Sequence, residues 1–279
     1  MLPATIGLSH ELALLVIGLL AGLVGGLLGV GGGVVMIPAL ALILGDAFGQ
    51  DSFHVYNLAA ITTAIFLSIP ATVRHTRAKA VVYPLLPGIL PLAIVGVAAG
   101  VWVAGQLVGD QTRTLKRIFG VFLELVVIIG VFQEWRAQHG EPHLCRACPM
   151  PRRRTLIGLL VGLPSGFIAG LLGVGGGIWA VPSQTLLLGV RLRHAIATST
   201  VMIIGVGLAT SLGQSYMLSR LPHTPPLHQV GWWLALWLTP GALIGGWCGA
   251  DLTHRLPIRW LRRIFWAALV LAGVRMIWG

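Results

Sequence analysis

Leu27-Leu28-Gly29-Val30-Gly31-Gly32-Gly33 is a stretch whose chemistry depends on its backbone, and the chain carries it twice. It returns as Leu171-Leu172-Gly173-Val174-Gly175-Gly176-Gly177. Each copy interrupts an apolar run. An interior glycine costs a helix roughly 1 kcal/mol relative to alanine and admits conformations that other residues avoid. Such a run unwinds a helix and lets it restart. A restarted helix offers N–H groups without intrahelical partners and the positive end of its dipole, which together bind anions. Side-chain donors stand close in sequence. Thr62, Thr63, Thr198, Ser199 and Thr200 are polar within apolar runs, and Ser183 and Gln184 follow the second break.

The candidate substrate-binding set is therefore Gly29, Val30, Gly31, Gly32, Gly33, Thr62 and Thr63 in the first half of the chain. In the second half it is Gly173, Val174, Gly175, Gly176, Gly177, Gln184, Thr198, Ser199 and Thr200, with Trp179 as a wall behind the second break. Each has a plainer reading. Gly22, Gly26, Gly166 and Gly170 have the Gly-x-x-x-Gly spacing of close helix packing, and a Ser or Thr hydroxyl often bonds back to its own helix. Three consecutive glycines exceed what packing needs. His194, beside Arg191 and Arg193, reads as an interfacial residue. Glu124 stands in an apolar run, where a carboxylate is a functional candidate by default. Cys248 reads as core. No catalytic residue, cofactor or metal is expected, and the chain reads as a non-enzyme.

The elements that carry these residues repeat as well. From Gly22 to Leu40, 10 of 19 positions are identical at an offset of 144. Ala60-Ile61-Thr62-Thr63 answers Ala197-Thr198-Ser199-Thr200, and Gly96, Gly100 and Trp102 answer Gly241, Gly245 and Trp247. The copies differ where Asn57 aligns with His194 and Leu40 with Gln184. Of 279 residues, 56% are hydrophobic and 10% charged, with mean hydropathy +0.88. Soluble domains carry about 25% charged residues, so this is an all-α integral membrane protein. Tryptophans cluster at segment ends, as interfacial belts do. Net charge is +11, and it sits in loops, where it orients the chain. No nucleic-acid partner is implied.

Hydrophobic segments fall at about 11–28, 33–45, 56–73, 81–106 and 115–134, then 155–173, 177–189, 194–218, 229–253 and 258–277. This gives a first transmembrane repeat over 1–135, a basic cytoplasmic linker over 136–154 and a second repeat over 155–279. If each break reverses the chain, one side keeps only Arg113, Lys116, Arg117, Arg220 and Arg275, and the other fourteen of the 19 Lys and Arg residues share the opposite side. A bend within one crossing leaves no such bias, so the positive-inside rule favours reversal. An odd number of segments per half makes the repeats inverted. The termini lie outside, and the glycine-interrupted or re-entrant helices meet near the midplane, as in secondary transporters. Met1 to Glu11 lacks the basic region of a cleaved signal peptide.

The doubled Gly-x-x-x-Gly-Leu-Leu-Gly-Val-Gly-Gly-Gly, followed each time by Pro38 or Pro182, resembles the TauE/SafE family of sulfite exporters, also called toluene sulfonate uptake permeases. The Ala60 to Thr63 and Ala197 to Thr200 blocks resemble it too, and the similarity covers nearly the whole chain. It implies a multi-pass carrier of the bacterial inner membrane, with periplasmic termini. The cargo would be a small sulfur-containing anion: sulfite, thiosulfate or an organosulfonate such as sulfoacetate. The partners are that anion and the lipid bilayer, and a homo-oligomer is compatible with such a chain. An anion channel of the same fold is the alternative, as is a sulfur-relay or redox component using Cys145 and Cys148 of His143-Leu-Cys145-Arg-Ala-Cys148. No phosphate-binding Gly-x-x-x-x-Gly-Lys-[Ser/Thr] loop is present, so this chain is not driven directly by ATP.

Overall fold

The computed structural model describes residues 8–29, 31–138, 154–223, 225–255 and 259–278, and every regular element among them is a helix. Val30, His143, Cys145 and Cys148 lie outside the described residues. The first half holds α1 (Leu8–Leu28), α2 (Gly33–Leu44), α3 (Ser52–Arg77), α4 (Leu86–Gln106) and α5 (Thr112–Gln138). The second opens with α6 (Arg154–Ile157), a π-helical turn (Gly158–Gly162) and α7 (Leu163–Leu172), which run on as one rod. α8 (Gly177–Leu186), α9 (Leu192–Ser219), α10 (Leu227–Arg255) and α11 (Arg259–Trp278) follow. Among the described residues five helices are long and apolar enough to cross a membrane, and α2 is a shorter apolar helix. The chain is a multi-pass membrane protein.

The halves interlock rather than stack. α1 packs on α10 and α4 on α7, while α3 packs on α9 and α5 on α11. Exchanging each element for its repeat counterpart returns the same pairings. The register gives the directions. Thr62 bonds Ser211, while His194 Nδ1 meets the Ala80 carbonyl at 2.7 Å, so α3 and α9 run antiparallel. α5 and α11 do likewise, with Gly120 against Gly273 and Gly130 against Trp266. α1 and α10 run parallel, from Gly18 at Leu238 to Gly26 at Gly246.

Small residues allow these contacts. A Cβ on Gly22 would lie 2.5 Å from the Ala242 carbonyl oxygen, and one on Gly166 would overlap that of Ala93. Without a hydrophobic force between helices in lipid, such close backbone packing holds the bundle together. Apolar side chains of α1 (Leu12, Val16, Leu20) and Trp102 on α4 point outward. Cys248, expected in the core, is instead exposed on α10, on the side of the helix that carries the exposed Ile244 and Trp247.

Polar side chains fasten the helix ends. Asp51, 4% exposed, accepts from the Gly109 N–H at 2.8 Å and the Thr112 hydroxyl at 3.1 Å. It ties the start of α3 to the α4–α5 connection. Arg74 at the other end of α3 pairs with Asp251 of α10 and lies over the Trp247 ring at 5.6 Å. Glu124 faces α11, where a Cβ on Gly273 would come 2.5 Å from its Oε1. That placement puts the carboxylate in the α5–α11 seam rather than at the glycine breaks.

Candidate functional site

Both breaks have the same backbone. Gly29, Gly31 and Gly32 have φ of 68°, 85° and 72°, and Gly173, Gly175 and Gly176 have 69°, 77° and 71°. Such left-handed conformations favour glycine, and they turn the chain so that α2 and α8 restart immediately. Gly32 and Gly176 are the N-caps, and neither receives a side-chain capping bond. Glycine has no side chain with which to cap. The first N–H groups of a helix have no intrahelical acceptor, and here Gly33, Val34, Gly177 and Ile178 are all buried.

The two breaks touch. A Cβ on Gly33 would sit 2.9 Å from the Gly173 carbonyl oxygen and 3.0 Å from Val174 Cα, and one on Gly31 would sit 3.3 Å from the Val174 carbonyl oxygen. Ile61 and Ala64 of α3 and Ile203 of α9 surround the contact. Each break also leans on the opposite half. Gly29 meets Ile196 and Ser199 of α9, and Gly173 meets Asn57 of α3.

The predicted hydroxyls are buried, but in this conformation they are engaged. Thr63 donates to the Ala59 carbonyl and Thr200 to that of Ile196, both at 2.8 Å. Thr198 donates to the His194 carbonyl and accepts the Val82 N–H. Thr62 shares a hydrogen bond of 2.8 Å with Ser211. Ser199 is different, since it reaches across to the Gly29 carbonyl at 3.0 Å as well as to Ile196. That bond covers an acceptor at the end of α1. Ser199→Ala is expected to lower stability by about 1 kcal/mol, read as a lower melting temperature in detergent; an unchanged melt would mean the bond contributes nothing.

Trp179 donates its ring N–H to the Leu160 carbonyl at 3.1 Å, which anchors α8 to the π-helical turn of its own half. Gln184 is fully buried with both amide atoms unpartnered. It lies seven residues beyond Gly177, about 10 Å along the helix from the N-terminal N–H groups. It therefore belongs to the far end of α8, not to the tip.

Gln214 was not singled out from sequence, and Asn57 was noted there only as the position aligned with the interfacial His194. Gln214 donates Nε2 to the Gly170 carbonyl at 3.1 Å and covers the last turn of α7 as Ser199 covers the end of α1. Asn57, aligned with His194, is 0% exposed with Nδ2 and Oδ1 both unpartnered. The signal for both was an amide within an apolar helix. Among the described buried residues there is no Lys or Arg. The electrostatics of the junction therefore come from dipoles. Side-chain donors cover carbonyls at the ends of α1 and α7, and no side chain caps the starts of α2 and α8.

The family model described as sulfite exporter TauE/SafE matches residues 14–276. The probable membrane transporter protein YunE of Bacillus subtilis is 27% identical, over 95% of this chain and 96% of its own length. A probable membrane transporter protein of Xylella fastidiosa (strain 9a5c) is 27% identical over 92% of both chains. MamO of Magnetospirillum gryphiswaldense is 24% identical over 97% of this chain, which spans 45% of MamO. No solved structure matches the chain. A whole-chain family match, a doubled glycine break and a multi-pass helical bundle agree, and the chain belongs to the TauE/SafE family of membrane transporters.

Proposed function

We propose that the protein is a secondary carrier of small sulfur-containing anions, sulfite or an organosulfonate, working by alternating access in a bacterial inner membrane with both termini periplasmic. The observation that carries this reading is the contact between the two glycine breaks, each of which opens a buried helix whose N-cap glycine makes no side-chain capping bond. Residues 1–135 and 155–279 are the two repeats. Antiparallel pairing of the equivalent helices α3 and α9 supports their inversion across the membrane. The anion would be held by N–H groups at the starts of α2 and α8. Alternate packings of the bundle around the α3–α9 pair would expose it to either side. The Thr and Ser hydroxyls, engaged in the conformation described, would be recruited by rotation about χ1. The chain's own residues supply the whole site, without a cofactor.

Counterflow tests the reading. Proteoliposomes preloaded with unlabelled sulfite should transiently accumulate labelled sulfite above equilibrium. A channel fills without an overshoot. The double variant Cys145→Ser, Cys148→Ser should keep the overshoot; its loss would favour a sulfur-relay role for the linker.

A further inference from the structure

Glu124 stands near the middle of α5, about 18 Å from the start of the helix and about 21 Å from its end. Beside it runs a stripe of exposed apolar side chains, Val121, Leu125, Ile128 and Phe132. No residue one turn from Glu124 along α5, or from Gly273 along α11, has a polar side chain. Ionisable groups in such surroundings are costly and mark pathways for ions and protons.

The carboxyl is turned into the seam with α11. A Cβ on Gly273 would come 2.5 Å from Glu124 Oε1 and 3.1 Å from the Gly120 carbonyl oxygen. The missing side chain of Gly273 thus leaves a notch that two oxygens face. Oε1 is buried there and receives no hydrogen bond. An ionised oxygen in that position has nothing to balance it, which is strongly unfavourable. A proton on Oε1 removes the charge and supplies a donor, with the second lone pair of the Gly120 carbonyl as acceptor. A hard metal cation needs about six oxygen ligands, far more than the notch offers.

Permanent charges stand further off. On α5, Lys116 pairs with Asp46, while Arg113 and Arg117 are exposed, and Glu134 and Arg136 lie at the far end. On α11, Arg275 is exposed and, two residues from Gly273, on the opposite side of that helix. Arg259, Arg262 and Arg263 lie beyond the contact of Trp266 with Gly130. α8 carries no ionisable side chain. α3 meets α5 at the ring pair of Phe53 and Phe119, where the neighbouring His54 is held by the Leu107 carbonyl. The seam is joined to the glycine breaks, since α5 also touches α8 and α11 touches α2, the two helices that the breaks open.

Resting on the carrier reading, we propose that Glu124 is the site at which the protein binds a proton that travels with the anion. The proton passes from the medium to Oε1 as the carboxyl enters the notch. It returns to the medium on the opposite side when the α5–α11 seam repacks. An ionised Glu124 and a bound anion repel each other, so proton and anion bind together rather than in turn. One proton and one singly charged anion then cross with no net charge.

The test uses the full chain in proteoliposomes. Labelled methanesulfonate is the cargo, because it stays ionised and a pH gradient acts on it only through the protein. With the interior alkaline, wild type should accumulate it about 10-fold for each pH unit of gradient. Glu124→Gln has the same size but binds no proton. It should lose the accumulation while still showing counterflow, whereas a structural role would lower both together. Gly273→Ala should also cut the accumulation, because its Cβ takes the notch. Dicyclohexylcarbodiimide, an apolar reagent for protonated carboxyls, should modify Glu124 of the wild type and stop counterflow, a readout that needs no variant to fold. Wild type with counterflow but no response to the gradient, Glu124→Gln accumulating as wild type does, or Glu124 left unmodified would overturn the inference and leave the carrier standing. Absence of counterflow with both methanesulfonate and sulfite would overturn the carrier reading and this inference with it.

Discussion

Gly176→Val is expected to abolish anion transport, and Gly32→Val to do the same from the other break. Each substitution meets two penalties. The backbone is left-handed, φ 71° and 72°, which costs an L-residue roughly 1–2 kcal/mol. Space is also absent. A Cβ on Gly176 would lie 2.6 Å from the Ser165 carbonyl oxygen, and one on Gly32 would lie 2.9 Å from that of Ala21. Backbone cannot yield as a flexible side chain can, so overpacking adds about 1–3 kcal/mol. The caps of α2 and α8 would shift, and the N–H groups would lose their aim. Gly49→Ala is the control. It has φ 79° with nothing within 4 Å of the added Cβ, so it should lose about 1–2 kcal/mol and keep its transport. Equal transport loss in Gly49→Ala would show that general destabilisation, not the junction, is being measured.

The second large effect lies away from the junction, in the α4–α7 seam. Gly166→Val should prevent stable folding, costing about 3 kcal/mol or more. Even the Cβ overlaps the Ala93 carbonyl oxygen, and a Cβ on Gly96, Gly100, Gly162 or Gly170 would also come within 2.5 Å of a backbone oxygen across the seam. The helices would have to separate along the whole seam. Gly105→Ala, further along α4, should be neutral or stabilising. Its Cβ meets only the Met217 side chain at 3.6 Å, and alanine improves helix propensity by roughly 1 kcal/mol. Size-exclusion chromatography and thermal melting separate the two outcomes. A monodisperse Gly166→Val protein with a wild-type melt would refute the account of the seam.

Much of this fold was written in local sequence. The glycine breaks fall where Gly29 to Gly33 and Gly173 to Gly177 placed them, because local backbone preference decides such features. The segment predicted over 56–73 became α3, Ser52–Arg77. Hydropathy stopped at its polar ends, where several polar side chains are nonetheless held against protein: Asp51 is the N-cap, His54 Nε2 meets the Leu107 carbonyl at 2.9 Å, and His75 is fully buried. The candidate site was legible in its glycines and less so in its side chains. Thr63 and Thr200 were as compatible with a ligand as with the turn before them, and periodicity does not record that choice. Asn57 became distinct from His194 only when the packing showed that one has a partner and the other has none. The crossed pairing of the halves was equally hidden, since glycines at helical spacing state that a helix packs closely but not on which partner.

That crossed pairing sets the order in which the molecule is made. α1 is synthesised well before α10, the helix it lies against. Until then the groove made by Gly18, Gly22 and Gly26 has no native neighbour. α4 waits in the same way for α7, although for less chain. The first half therefore assembles as a set of unmatched surfaces, and the native bundle closes only when the second half threads into it. The main packing partners of α1 and α4 lie in the other half, so chains cut between the halves should be recovered together or not at all.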